Sequence, residues 1–388
     1  MEESKILQYF EGKTIFITGA TGFLAKIFLE KILRVQPNIK KLYLLIRETA
    51  KKSTEQRLQE EVVNTELFRV LREEYGKDLN FVLLPKVIPI SGDVSHDNLG
   101  ITNPKIREEM WQEIDIIVNS AATTKFDERY DIAMGINAIG AMHVQNFARN
   151  CSKLETLLHV STAFVHGTKI GLIPEKPYHM GETLDASKIP YLDINKEKHI
   201  MEETLKRLKT QKAMEKEITQ TMKDLGIERA KLHGWPNTYV FTKAIGEMML
   251  ENFKDKAKVI IIRPTIITST YREPFPGWIE GVRTLDSIFA AYGKGKLKFF
   301  VGDPESKLDM IGSSRQNPVK YDEVKWLMHR YLAENPLLDS QGKPIKVGLP
   351  TNLNSMASFH NYIAIHYLPF LQHMHQCKTK NQSCQASS

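Results

Sequence analysis

Through the first 160 residues, apolar positions come in short unbroken runs, and between the runs they recur every three or four positions. Lys13 to Thr18 (KTIFIT), Lys41 to Arg47 (KLYLLIR), Val87 to Ser91 (VIPIS), Ile114 to Asn119 (IDIIVN) and Thr156 to Ser161 (TLLHVS) have the length and composition of buried strands. Helical spacing is found over residues 24–34 (LAKIFLEKILR), over a charged stretch from about Lys51 to Tyr75, and from Asn137 to Asn150. Strands without polar alternation, separated by helices, predict a parallel sheet covered on both faces, which is a doubly wound α/β fold.

The turn after the first strand adds chemistry to this pattern. In GATGFLA, Gly19, Gly22 and Ala25 stand where a tight turn, a close approach of phosphates and close helix packing are needed. With a strand before it and a helix after it, the turn predicts a Rossmann-like site in which backbone N–H groups hold a pyrophosphate. Thr18, Gly19, Thr21, Gly22, Phe23 and Leu24 are expected to line the cofactor. The second strand ends in Arg47, where an NAD site carries an acid; an arginine suits the 2′-phosphate of NADP, and so NADPH is the expected cofactor. Glu48 follows directly, and a solvated surface arginine is the alternative. At the carboxyl ends of later strands, Asp93 is either an acceptor for the adenine amino group or a turn residue. Ala121 and Ala122 are small enough to let the cofactor lie against the backbone, and Ser161 and Thr162 stand at the height of a substrate carbonyl.

A tyrosine four residues before a lysine places a phenol and an ammonium on one helix face, the pair that carbonyl reduction uses as its acid. The chain carries this spacing four times, at Tyr9/Lys13, Tyr239/Lys243, Tyr292/Lys296 and Tyr321/Lys325. Tyr9 precedes the first strand, Tyr292 lies in a glycine-interrupted segment (YGKGK), and Tyr321 follows every strand named above. Tyr239 and Lys243 remain.

Bulk properties narrow the class further. Aliphatic and aromatic residues form 42% of the 388 residues and charged residues 26%, an ordinary globular balance. A net charge of +7 favours an anionic ligand or an anionic membrane surface and falls short of a nucleic-acid stripe. Cys151, Cys377 and Cys384 make neither a disulfide framework nor a metal site, which fits a reducing compartment. The histidines of QHMHQC near the C-terminus fit no established metal spacing, and no metal is expected. With no signal or transit peptide and no apolar run of membrane length, a cytoplasmic protein is expected, either free or attached peripherally to the endoplasmic reticulum.

TGATGFLA, the SGDVS aspartate, NSAATT, HVSTAFVHG, YVFTK and RPTIITS (263–269) stand in the order found in the extended short-chain dehydrogenase/reductases, which the chain resembles over residues 12–270. FDERYD (126–131), KLHGWPNTYVFTK (231–243) and EPFPGWIEG (273–281) are similar, more narrowly, to the plant alcohol-forming fatty acyl-CoA reductases. That resemblance implies NADPH-dependent reduction of a long-chain acyl-CoA to a primary alcohol, with an aldehyde intermediate and release of CoA. Tyr239 would give the proton, Lys243 would lower its pKa and hold the nicotinamide ribose, and Thr162 would orient the carbonyl, with Ser161 in reserve. Asn137 either extends a proton relay or packs the helix, and His233 is read as positional. The epimerases of the same superfamily lack the EPFPGWIEG and HGWPNTY strings.

About 75 residues separate Thr162 from Tyr239, far more than a loop needs. The insertion, about 169–238, contains a charged helical stretch (197–225) with only a partial apolar stripe at Ile200, Leu205, Leu208 and Ile218, which reads either as a lid or CoA flank or as a solvated hairpin. The reductase domain is expected to span 1–311, followed by a shortened C-terminal region (312–388) with a disordered tail from about Cys377. Gly312 follows Ile311 directly where the family pattern has a further helix and strand, so roughly two dozen residues are expected to be missing. Two other readings stay open: a catalytically impaired nucleotide-binding or partner subunit, and a reductase that releases the aldehyde.

Overall fold

The computed structural model describes residues 2–79, 84–169, 171–184, 189–253, 256–281, 284–297, 299–301, 307–308, 310–311, 319–345, 347, 351–353 and 358. Two compact units comprise Met1–Thr265 with Arg272–Pro276, and Ile266–Tyr271 with Gly277–Ser388, a division that does not follow the boundary expected at Ile311. The first unit contains every candidate catalytic residue.

Its centre is a six-stranded, all-parallel sheet in the order β3-β2-β1-β4-β5-β6. The strands are β1 (Thr14–Thr18), β2 (Lys41–Ile46), β3 (Val87–Ser91), β4 (Ile116–Asn119), β5 (Thr156–Val160) and β6 (Lys258–Ile262). The first five coincide with the apolar runs of the sequence; β6 is a strand that those runs did not include. Ile15, Phe16 and Ile17 of β1 are completely buried, as the centre of a two-sided sheet requires. Helices α1 (Glu2–Phe10), α2 (Phe23–Val35), α3 (Pro104–Glu113) and α4 (Gly140–Asn150) belong to the nucleotide-binding half. On the α4 side, Phe147 packs with Phe16, Ile117 and Leu157 into one core cluster.

The charged stretch expected as one helix from Lys51 to Tyr75 is broken. An α-turn at Thr54–Leu58 passes into a π-turn at Gln59–Val63, a 3-10 turn at Glu66–Phe68 and a last helix at Arg69–Tyr75. The buried Lys26 of α2 explains one break, since its Nζ takes the Glu61 carbonyl, 2.9 Å away, out of the local ladder. The helix expected from Asn137 starts earlier, at Tyr130, and reaches Gly140 through a π-turn at Met134–Ile139.

The insertion forms an antiparallel pair, α5 (Ile194–Thr210) and α6 (Glu215–Leu232), leading to α7 (Thr238–Met249). Met201, Leu208, Ile218, Met222 and Ala230 join Tyr130, Trp235 and Phe241 in a second core cluster. The solvated-hairpin reading is thereby corrected: the hairpin is packed against the element that carries Tyr239 and Lys243. The partial stripe was enough because the apolar partners come from elsewhere in the chain.

β6 ends the sheet, and among the described residues no strand pairs with its outer edge. Ile116, Val118, Leu158, Val160, Ile260 and Ile262 line an apolar cleft of about 580 Å³ along one face. In the second unit, the described elements include the helices Thr284–Gly293 and Tyr321–Glu334, with Tyr292 bonded to His329 Nδ1 (2.7 Å). The GSSRQNP segment, the QHMHQC histidines and the expected disordered tail lie outside the described residues.

Candidate active site

The turn between β1 and α2 has the form its glycines predict. Gly19 has a φ of +69°, and a Cβ there would stand 2.7 Å from the Ala121 nitrogen, so only glycine allows the two backbones to meet. Thr18 Oγ1 accepts the Ala121 N–H (3.1 Å) and donates to Asn119 Oδ1 (2.7 Å), tying this turn to the end of β4. Gly22 donates to the Gly19 carbonyl (2.8 Å) and begins α2. Gly19, Thr21, Gly22, Asp93, Ala121 and Ala122 line one cleft of about 190 Å³, at the carboxyl ends of the strands. The glycine cradle and the helix N-terminus at its floor fit a dinucleotide pyrophosphate.

Three residues expected to line the cofactor at this turn, Thr18, Phe23 and Leu24, are placed off this cleft. Thr18 is fully buried, Phe23 is buried as the first residue of α2, and Leu24 lines the apolar cleft. Arg47 lines the cofactor cleft, with Nη1 3.7 Å from Asp93 Oδ2. Asp93 is a turn residue, its Oδ1 accepting from the Ser95 N–H (2.9 Å) and hydroxyl (2.8 Å), and it also lines the cleft. Glu48 instead accepts from Thr54 Oγ1 at 3.3 Å. Sequence reasoning missed Arg57, which also lines the cleft and donates from Nη1 to the Arg47 carbonyl (2.6 Å) while Glu61 holds its other edge. No local motif announces it, because the broken helix sets its position.

Tyr239 and Lys243 lie on α7, whose start is fixed by Asn237, an N-cap whose side chain accepts the Val240 N–H at 3.1 Å. The half-buried Tyr239 phenol lies beside the Thr162 side chain just beyond β5, close enough for Thr162 to act on its pKa. The expectation that Lys243 lowers the phenol's pKa is corrected here: burial raises it above its ordinary value, and Thr162, not Lys243, offsets part of that rise. Thr162 Oγ1 also accepts the Phe164 N–H (3.3 Å), capping a 3-10 turn at Ala163–His166. The Ser161 hydroxyl is buried and has no partner among the described residues.

Lys243 is 1% exposed, and its Nζ donates to the Val160 carbonyl at 2.7 Å. Burial pulls its pKa down to about 8 against the opposing pull of Glu247, one turn further along α7. Glu247 is itself gripped by Arg263, through Nε at 2.9 Å and Nη2 at 2.5 Å. Asn137 resolves as a brace. Its Oδ1 accepts the Thr123 N–H (3.0 Å), while Nδ2 reaches the Thr123 carbonyl (3.1 Å) and Thr242 Oγ1 (3.0 Å).

His233 is positional as anticipated, and its partner is a buried carboxylate that sequence reasoning did not single out. Glu197 of α5 accepts from His233 Nε2 (2.9 Å), Arg229 Nε (2.9 Å) and Tyr130 Oη (2.9 Å). Burial alone would raise the Glu197 pKa, but these donors bring it down to about 2. His233 and Tyr130 stack on Phe241, midway between Tyr239 and Lys243, and Trp235 packs against the same ring at a tilt.

This geometry has relatives. Residues 17–313 match the family model described as "Male sterility protein", an NAD-binding family. Fatty acyl-CoA reductase 1 of Arabidopsis thaliana is 50% identical over 394 positions, covering 94% of this chain and 79% of that protein. The chain belongs to the fatty acyl-CoA reductase family. The alcohol-forming fatty acyl-CoA reductase of Simmondsia chinensis is 45% identical over 398 positions, covering 95% of this chain and 80% of that protein. Among solved structures, the terminal R domain of the myxalamid PKS-NRPS pathway superimposes with a TM-score of 0.53 at 18% identity, covering 92% of this chain and 86% of that one. That likeness supports the fold, a parallel sheet covered by helices. The family is one of oxidoreductases. An alignment of 394 positions that takes in only 94% of a 388-residue chain also means that roughly thirty aligned positions of the Arabidopsis protein have no counterpart here.

Proposed function

We propose that the chain reduces long-chain fatty acyl-CoA to the primary alcohol with NADPH, releasing CoA and passing through an enzyme-held aldehyde. The observation that carries this reading is the Tyr239 phenol beside the Thr162 side chain just beyond β5, one helical turn before the buried Lys243, in a fold whose β1–α2 turn forms the glycine cradle. The choice of NADPH is supported by Arg47 and Arg57, two guanidinium groups in the same cleft, which suit a 2′-phosphate.

When bound, the reduced nicotinamide supplies a hydride to the carbonyl carbon, once for the thioester and once for the aldehyde. Each addition turns the carbonyl oxygen into a developing alkoxide, and Tyr239 meets that charge with its proton. Thr162 holds the phenol and orients the carbonyl. The first addition gives a hemithioacetal; as its hydroxyl returns the proton towards Tyr239, the C–S bond breaks and CoA thiolate departs, leaving the aldehyde for the second addition. Lys243, charged below about pH 8, would steady the phenolate left after proton transfer. Glu197 and Asn137 act at a distance, by fixing α7 and the Thr123 loop.

No described helix is long and apolar enough to cross a membrane, and the net charge of +7 suits peripheral attachment to an anionic surface. The reading is tested by giving purified protein NADPH with acyl-CoAs of increasing length and identifying products by mass spectrometry. Fatty alcohol is the expected product; neither aldehyde nor alcohol from any length would overturn the reading. One observation favours a second reading, a nucleotide-binding homologue without turnover: the gap of roughly thirty aligned positions. Tight NADPH binding with no product would decide for it.

A further inference from the structure

Phe126 is 56% exposed, yet its ring stacks on that of Tyr239, with centroids 6.1 Å apart and planes 29° from parallel. A lone exposed aromatic residue is ordinary on a protein surface. This one differs in two respects. It lies against the phenol that must touch the reacting carbonyl oxygen, and its loop is anchored on both sides. Thr123 is held by Asn137 before it, and Asp127 pairs with Lys223 (2.9 Å) after it, while Glu128 accepts from Thr123 Oγ1 (3.1 Å). Apolar surface is thus fixed in water at the mouth of the catalytic pair, where a substrate that buries it gains binding free energy. The other member of the pair has a similar neighbour: Phe164, 41% exposed, donates its N–H to Thr162 Oγ1.

Geometry then limits what can cover Phe126. A carbonyl oxygen in hydrogen-bond contact with the Tyr239 hydroxyl sits about 2.7 Å from it. The atoms bonded to that carbonyl therefore fall within contact distance of groups that flank the phenol. On one side of the carbonyl is the thioester sulfur and on the other the first methylenes. A phenyl ring with no free polar group suits the methylenes.

We propose that Phe126 forms the proximal wall of an acyl-chain subsite, receiving the first methylenes beyond the carbonyl of a fatty acyl thioester. This inference rests on the acyl-CoA reading given above and adds the residue that grips the chain next to the reacting carbon.

The direct test is Phe126→Trp with S-hexadecyl-CoA, a thioether that cannot be reduced, in the presence of NADP⁺. Tryptophan emission is compared with that of the parent chain, whose four tryptophans set the background. A blue shift in the variant with the thioether, and none with CoA alone, is expected. Calorimetric binding of the thioether without a shift overturns the inference while leaving the acyl-CoA reading intact; absence of thioether binding to the parent chain overturns both. As a second readout, Phe126→Ser should lower kcat/KM about tenfold at every chain length, mainly through KM, with Phe126→Leu restoring most of it. An unchanged kcat/KM in Phe126→Ser counts against the inference.

Discussion

A Cβ added at Gly246 would stand 2.3 Å from the carbonyl oxygen of Asn137, so α7 rests directly on the π-turn that carries the Asn137 brace. That contact sets the depth of Tyr239 and Lys243. Gly246→Ala is expected to push α7 outward, cost about 1–3 kcal/mol and lower turnover. Denaturant unfolding of the variant at parent-like stability would contradict the contact.

Lys243 is expected to be a residue that costs stability and supplies function. Its folded pKa of about 8 lies below the ordinary 10.5, so the unfolded chain holds this proton more tightly. Stability therefore rises with pH between about 8 and 10.5, and below that window the fold bears the full cost of a charged, buried lysine. That cost is on the order of 3 kcal/mol; the lost bond to Val160 returns about 1 kcal/mol of it on substitution. Lys243→Met should be the more stable protein at pH 7, lose the advantage near pH 10.5, and have little turnover. Unfolding midpoints at both pH values check this, and a variant less stable at pH 7 counts against it.

Glu197 has the opposite sign. Its pKa of about 2 is below the ordinary 4.5, so its contribution is complete above about pH 4.5 and is lost as pH falls from there towards 2. Glu197→Ala leaves Arg229 and His233 buried without their carboxylate and should cost about 3–5 kcal/mol. Glu197→Gln should cost less. Thermal melts at pH 7 and pH 3 separate the cases: the gap between Glu197→Ala and the parent should narrow at pH 3.

Among the described residues β6 is an edge strand whose last four residues, Val259–Ile262, contain neither charge nor proline, and Ile262 is 44% exposed. Such an edge pairs readily with another chain. Ile262→Lys should reduce concentration-dependent self-association in light scattering while changing stability by no more than about 0.5 kcal/mol. Equal association by parent and variant would show that the edge is not the contact.

What the sequence disclosed follows from where the determining forces lie. β1 to β5 were legible because strands buried on both faces must be continuous apolar runs, and Gly19 because its positive φ and its approach to Ala121 admit no other residue. KVIII at 258–262 is as rich in β-branched residues as β1 and went unread as a strand because it lies beyond the long insertion, away from the alternation of strand and helix. The π-turns were hidden because Lys26 and α7, remote in sequence, decide which local carbonyls are released. Glu197 was hidden for the converse reason: a carboxylate in a lysine-rich helix looks solvated until Arg229, His233 and Tyr130 are seen to surround it. Of the candidate site, Tyr239 and Lys243 stand one turn apart on α7 with Thr162 beside the phenol, Arg57 was absent from the reading, and Thr18, Phe23 and Leu24 lie off the cofactor cleft.

The most direct measurement is the ratio of NADPH oxidised to thiol released, taken with hexadecanoyl-CoA on the parent chain and on Tyr239→Phe. The parent is predicted to give two NADPH per thiol, and Tyr239→Phe to bind NADPH with parent-like affinity while turning over at least about a hundredfold more slowly. A Tyr239→Phe protein that turns over at the parent rate, or a parent that releases no thiol, would contradict the role assigned to the Tyr239–Thr162 pair.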